Sequence, residues 1–93
     1  MKLQVKYTAQ LRTALERSEE TAELPEGSSL ADLLQHLAEQ NPAGRPHLLS
    51  GAGRVNASLL VVLNDAAVSA ADAVSRQLSD GDVVLLLPPI AGG

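Results

Sequence analysis

The sequence predicts an α+β domain in which one main helix packs across one mixed sheet. Three observations carry this. Leu3, Val5 and Tyr7 alternate with Lys2, Gln4 and Lys6, the period of two that marks a half-buried strand. Leu30, Leu33, Leu34, Leu37 and Ala38 recur at i, i+3, i+4, i+7 and i+8, one apolar stripe of a helix. Val83 to Leu87 is an apolar run without alternation, which predicts a strand in the middle of the sheet, covered on much of both faces. A chain of 93 residues has room for one such core and no second.

The elements follow in order. After the first strand, Thr8 to Arg17 carries Ala9, Leu11, Ala14 and Leu15, a short helix or irregular turn. The return between the first two strands occupies Thr8 to Ser18. The stretch Thr21-Ala22-Glu23-Leu24, inside an acidic region, reads as an edge strand with solvated charges. Pro25-Glu26-Gly27-Ser28 is turn chemistry. Ser29 three residues before Asp32 is the looser form of a capping box and opens the main helix. Asn41-Pro42 closes it, because the residue before a proline is pushed out of the helical region. Residues 43–56, with Gly44, Pro46, Gly51 and Gly53, form a long loop from which Leu48 and Leu49 tuck back onto the core through a short helical turn. Leu59 to Leu63 is a strand, Asn64-Asp65 a two-residue turn, and Ala66-Ala67-Val68 the returning strand. Asp80-Gly81-Asp82 turns into the final strand. Tyr7 is the sole aromatic residue, so Leu, Val and Ala must build the core.

Composition removes several function classes. Without cysteine there is no disulfide framework, thiolate metal site or cysteine nucleophile. Seven Lys and Arg against eleven Asp and Glu give a net charge of -4, the wrong sign for a general nucleic-acid binder. No apolar run approaches the roughly 20 residues of a membrane helix. Residues 1–6 alternate and do not read as a signal peptide, so a cytoplasmic location is the expectation. His36 and His47 lack a third ligand at useful spacing, so no metal site is expected. Gly51-Ala52-Gly53 lacks the strand and helix flanks of a phosphate loop, and no hydrolase elbow occurs. No internal catalytic constellation stands out, which favours a carrier over an enzyme.

The last six residues are more specific: Pro88-Pro89-Ile90-Ala91-Gly92-Gly93. Two prolines cannot donate to a ladder and favour an extended conformation. The expectation is a domain over 1–87 and a semi-rigid arm over 88–93, with a reach on the order of 20 Å at about 3.3 Å per residue. Two glycines let its end pass a channel too narrow for any Cβ. Read as the terminus, Gly93 carries a free carboxylate on a slender stalk, a shape suited to insertion into another protein's active site.

The motifs resemble the MoaD/ThiS family of ubiquitin-like sulfur carriers, and its MoaD branch, the small subunits of molybdopterin synthase, in particular. The resemblance runs through Val5 to Arg12, Ser29 to Leu34 and Val62-Leu63-Asn64-Asp65. It is strongest in Leu78-Ser79-Asp80-Gly81-Asp82-Val83 and in the Pro-Pro-x-x-Gly-Gly ending. It implies the β-grasp fold. It also implies that Gly93 is the working residue. An adenylating partner similar to ubiquitin-activating enzymes, using ATP and Mg²⁺, converts the Gly93 carboxylate to an acyl adenylate. A sulfur donor then yields a thiocarboxylate, and a MoaE-like large subunit, in a heterotetramer, uses that sulfur to build molybdopterin. The chain itself binds no cofactor. Gly92 allows threading, Pro88 and Pro89 aim the tail, Ala91 belongs to the threaded segment, and Ile90 with the apolar face near the tail docks on the partner. Carriers for thiamine or cysteine synthesis, a ubiquitin-like protein modifier, and a plain binding module with an idle tail remain open as alternatives. The long loop and Pro88-Pro89 lean toward the MoaD branch.

Overall fold

The computed structural model describes residues 1–88. The chain order is β1 (Lys2–Tyr7), α1 (Ala9–Leu15), β2 (Glu19–Glu23), α2 (Leu30–Gln40), a 3₁₀ turn (Pro42–Gly44) and α3 (Arg45–Leu48). It continues with β3 (Leu60–Leu63), β4 (Ala66–Val68), α4 (Ala70–Ala73) and β5 (Val83–Leu87). The strands among the described residues form one sheet in the order β2-β1-β5-β3-β4. Strand β5 runs parallel to β1 and antiparallel to β3, so the sheet is mixed, and the acidic strand β2 lies at an edge. This is the α+β architecture expected from the periodicities.

Local chemistry explains the main helix. The Ser29 hydroxyl accepts from the Asp32 N–H at 3.1 Å, and the Asp32 carboxylate accepts from the Ser29 N–H at 2.9 Å, a reciprocal capping box. Leu30, Leu33, Leu34, Leu37 and Ala38 are all buried. They pack with Leu3, Val5 and Tyr7 of β1, Val61 and Leu63 of β3, and Val84 and Leu86 of β5 in one core. Helix α2 ends at Asn41, whose N–H and side-chain amide both donate to the Leu37 carbonyl. The segment after it is more structured than a loop. Its 3₁₀ turn and α3 bury Leu48, and Leu49 is buried beside them. A Cβ on Gly44 would lie 2.7 Å from Leu15 Cδ2, so the Leu15 side chain would have to shift to admit one. The core-directed return of Leu48 and Leu49 matches the sequence expectation.

Two further features differ from the sequence reading. Helix α4 was not expected; Ser69 caps it by accepting from the Asp72 N–H at 3.2 Å. The second is the covering of β5. Strand β5 is central, but only Val84 and Leu86 face the helical side and are buried. Val83 is 37% exposed, and Leu85 and Leu87 are half-buried on the other face. The unbroken apolar run therefore reflects an uncovered apolar face, not a second covering layer.

Candidate functional site

The site of interest is strand β5, because the predicted tail continues from it. Its first residue is held by a polar cluster. The Asn64 side-chain amide donates to Asp82 Oδ1 at 2.8 Å, and Asn64 Oδ1 accepts from the Val83 N–H at 2.9 Å. Asp82 Oδ2 accepts from the Ser79 N–H at 2.8 Å, and Asp80 Oδ1 accepts from the Lys2 N–H at 2.6 Å. Gly81 has φ +86°, the left-handed region that glycine enters without a Cβ clash, and its N–H donates to the Lys2 carbonyl at 2.8 Å. Asn64 and Asp65 also have positive φ, 48° and 71°, as a two-residue hairpin turn joining β3 to β4 requires. The Asn-Asp and Asp-Gly-Asp motifs, distant in sequence, thus meet in space. They anchor the start of the strand; they are not acid–base machinery.

The other end of β5 is fixed differently. Tyr7 and Leu86 are register partners, and the Thr8 hydroxyl donates to the Leu86 carbonyl at 3.1 Å. Pro88 follows Leu87 and is buried. Of the predicted site residues, Pro88 is the one the structure describes. Pro89, Ile90, Ala91, Gly92 and Gly93 lie outside the described residues, as does most of the predicted tail segment.

Close to this end, the Tyr7 hydroxyl donates to Glu20 Oε2 at 2.6 Å. Arg17 lies 3.5 Å from the same carboxylate oxygen, and the Asn41 side chain donates to it at 3.5 Å. Burial, then the bond to Glu20, raises the Tyr7 phenol well above its ordinary value. The group ties β1, β2 and the end of α2 together as a neutral phenol on a carboxylate.

The outer face of the sheet has two characters. Over β2 and β1 it presents Glu19, Thr21, Glu23, Lys2, Gln4 and Lys6. Over β5 and β3 it presents Val83, Leu85, Leu87, Leu60 and Val62. Leu60 is 47% exposed and pairs in register with Leu87, directly before Pro88. Sequence reasoning anticipated an apolar face near the tail without naming these residues. The lost alternation in β5 was the signal for them. His36 and His47 are both half-buried, and no cluster of three or more metal-binding side chains occurs among the described residues.

Comparison with known proteins gives the family. The profile of the ThiS family matches residues 5–93. The chain belongs to the ThiS family. A relative in Chlamydomonas reinhardtii, a molybdopterin synthase sulfur carrier subunit, is 31% identical over 93 residues, with all of both chains covered. Among solved structures, a putative molybdopterin converting factor subunit 1 from Pyrococcus furiosus superposes with TM-score 0.77 at 28% identity, covering 97% of this chain and 99% of that one. SAMP1 from Haloferax volcanii superposes with TM-score 0.89 over the whole of both chains; at 20% identity this likeness concerns the fold alone. The MoaD/ThiS resemblance and the ubiquitin-like β-grasp fold are thereby established for this ThiS-family chain. Its full-length relative is a carrier subunit, in line with a chain that is not itself an enzyme. No described helix is long and apolar enough to cross a membrane.

Proposed function

We propose that this ThiS-family chain carries sulfur on Gly93 and delivers it, as the small subunit of molybdopterin synthase, for molybdenum-cofactor synthesis. The observation that carries the reading is the uncovered apolar face of β3 and β5 beside the root of the predicted tail. Leu60, 47% exposed, stands in register with Leu87, one residue before Pro88. An exposed apolar face on a small chain marks a surface that another protein covers. Here that surface includes the strand that ends one residue before Pro88, so a partner that covers it meets the start of the predicted tail. The full-length relative that is a molybdopterin synthase sulfur carrier subunit supports the same pathway.

In this mechanism residues 1–87 form the docking body and 88–93 the inserted arm. Pro88 is the root, Pro89 keeps the arm extended, Ile90 docks on the partner, and Ala91 and Gly92 belong to the threaded segment, where Gly92 passes the narrowest point. A carboxylate oxygen of Gly93 attacks the α-phosphorus of ATP in an adenylating partner that binds Mg²⁺, and pyrophosphate leaves. A sulfur donor displaces AMP, and the resulting thiocarboxylate is the nucleophile presented to the large subunit. The chain supplies position and a terminal carbonyl; ATP and Mg²⁺ belong to the activating enzyme, and the acceptor chemistry to the large subunit.

The test is reconstitution. The thiocarboxylated chain is added to a MoaE-like large subunit with cyclic pyranopterin monophosphate, and separately to a thiazole-forming enzyme and to a cysteine-forming enzyme. Molybdopterin formed in the first mixture alone is the expected result. Sulfur transfer confined to either of the other two would assign the carrier to that pathway instead.

A further inference from the structure

The outer face places one cation at the border of the apolar surface. Lys6 pairs in register with Leu85 on one side and with Glu19 on the other, and Leu85 pairs in turn with Val62. Lys6, Val62, Asn64, Asp65, Val83 and Leu85 line a shallow hollow of about 270 Å³. The ion pairs among the described residues are Lys2 with Glu23 and Arg17 with Glu20; Lys6 is in neither. Glu19 is its register partner across the β1–β2 pair, and Asp65 lines the same hollow. Both are exposed, and neither forms an ion pair with it.

We propose that Lys6 is a specificity determinant of the docking face: the large-subunit surface that covers Leu85 and Val62 carries a carboxylate placed to pair with Lys6. This rests on the docking reading above. The argument is one of desolvation. Leu85 and Lys6 are adjacent across a parallel strand pair, so a surface that reaches Leu85 covers Lys6 as well. An ammonium removed from water without a counter-charge strongly opposes binding. A partner carboxylate removes that penalty and repels a surface of the wrong sign. Asp65, across the hollow, repels the same carboxylate and confines it to the Lys6 side. One apolar hollow between opposite charges therefore fixes the orientation of the partner as well as its identity.

The experiment is titration calorimetry of the full chain with the large subunit of molybdopterin synthase from the same organism, at two salt concentrations. Lys6→Met keeps the aliphatic stem and removes the charge. It is expected to weaken binding on the order of thirtyfold, and Lys6→Glu more, because each leaves the partner carboxylate unpaired. The weakening should shrink at high salt. Glu19→Gln is expected to change affinity less than about twofold. Thermal unfolding of each variant should match wild type, since Lys6 and Glu19 are exposed. If Lys6→Met binds as tightly as wild type or more so, the partner has no such carboxylate and the proposal is wrong. A loss with Glu19→Gln equal to that with Lys6→Met would make the counter-charge internal and also overturn it. A wild-type chain that does not bind the large subunit at all removes the docking reading itself, and this proposal with it.

Discussion

Asn64 and Asp82 are joined side chain to side chain at 2.8 Å, and the same Asn64 amide accepts from the Val83 N–H at 2.9 Å. This pair locks the first residue of the central strand to the turn between β3 and β4. Asn64 also holds a left-handed backbone conformation, φ 48°. Asn64→Ala should lose both hydrogen bonds and meet the left-handed penalty, for a destabilisation of about 2–3 kcal/mol in urea. Asn64→Gly removes the backbone part and should recover about 1 kcal/mol of that loss. Equal losses in the two variants would mean that backbone strain plays no part.

Tyr7 and Glu20 set a second expectation. The buried phenol keeps its proton in the folded chain beyond the pH at which an unfolded tyrosine releases it. Its raised value means that the associated stability is complete below about pH 10 and is lost as pH rises above it. Tyr7→Phe should cost about 1–2 kcal/mol at neutral pH through the lost bond to Glu20. It should also flatten the fall in melting temperature above pH 10 relative to wild type. Parallel melting curves across pH 8–12 for the two proteins would contradict this assignment.

Gly44 lies where a Cβ would press on the Leu15 side chain at 2.7 Å. Gly44→Ala should destabilise the chain by about 1 kcal/mol, because Leu15 can shift only within a packed region. The double variant Gly44→Ala with Leu15→Val relieves the contact and should lose less than the sum of the two single losses. Strict additivity in chemical unfolding would show that the two positions do not compete for space.

Leu60 is exposed, so Leu60→Asp should alter stability by less than about 0.5 kcal/mol. It places a charge at the end of the apolar outer face next to Pro88 and should weaken binding of the large subunit by about 2 kcal/mol or more. Pull-down or calorimetry with unchanged affinity would move the docking surface elsewhere on the chain.

The fold was legible where side-chain periodicity is strong. Strand β1 alternates cleanly, α2 carries five buried residues at helical spacing with a capping box, and Asn64-Asp65 is a hairpin turn in sequence as in space. Helix α4 is not legible in the sequence because four residues show no period; Ser69 three before Asp72 is its one local mark. Strand β5 is central, as its apolar run predicts, but its outer face is not covered by this chain. An apolar run reports hydrophobicity, and it cannot distinguish a face covered by this chain from one left for a partner. The Asp-Gly-Asp motif was visible as a family mark, yet its physical role, anchoring β5 through Asn64, needed the tertiary register. The tail reading rests on residue chemistry alone, prolines that cannot pair and then glycines that can thread, because residues 89–93 lie outside the described residues.

The same reasoning about Gly92 gives a direct functional test. Gly92→Val adds a branched side chain at the proposed narrow point and should block adenylation by the activating enzyme while the unfolding midpoint stays unchanged. Normal adenylation of that variant would remove the need for a side-chain-free position.

The most direct measurement is the intact mass of the protein after incubation with its activating enzyme, ATP, Mg²⁺ and a sulfur donor, followed by fragmentation to locate any change. The proposed function requires a species heavier by the replacement of one oxygen with sulfur, with the change confined to Gly93. A terminus that stays unmodified with an activating enzyme shown to be competent on another carrier would contradict sulfur carriage by this chain.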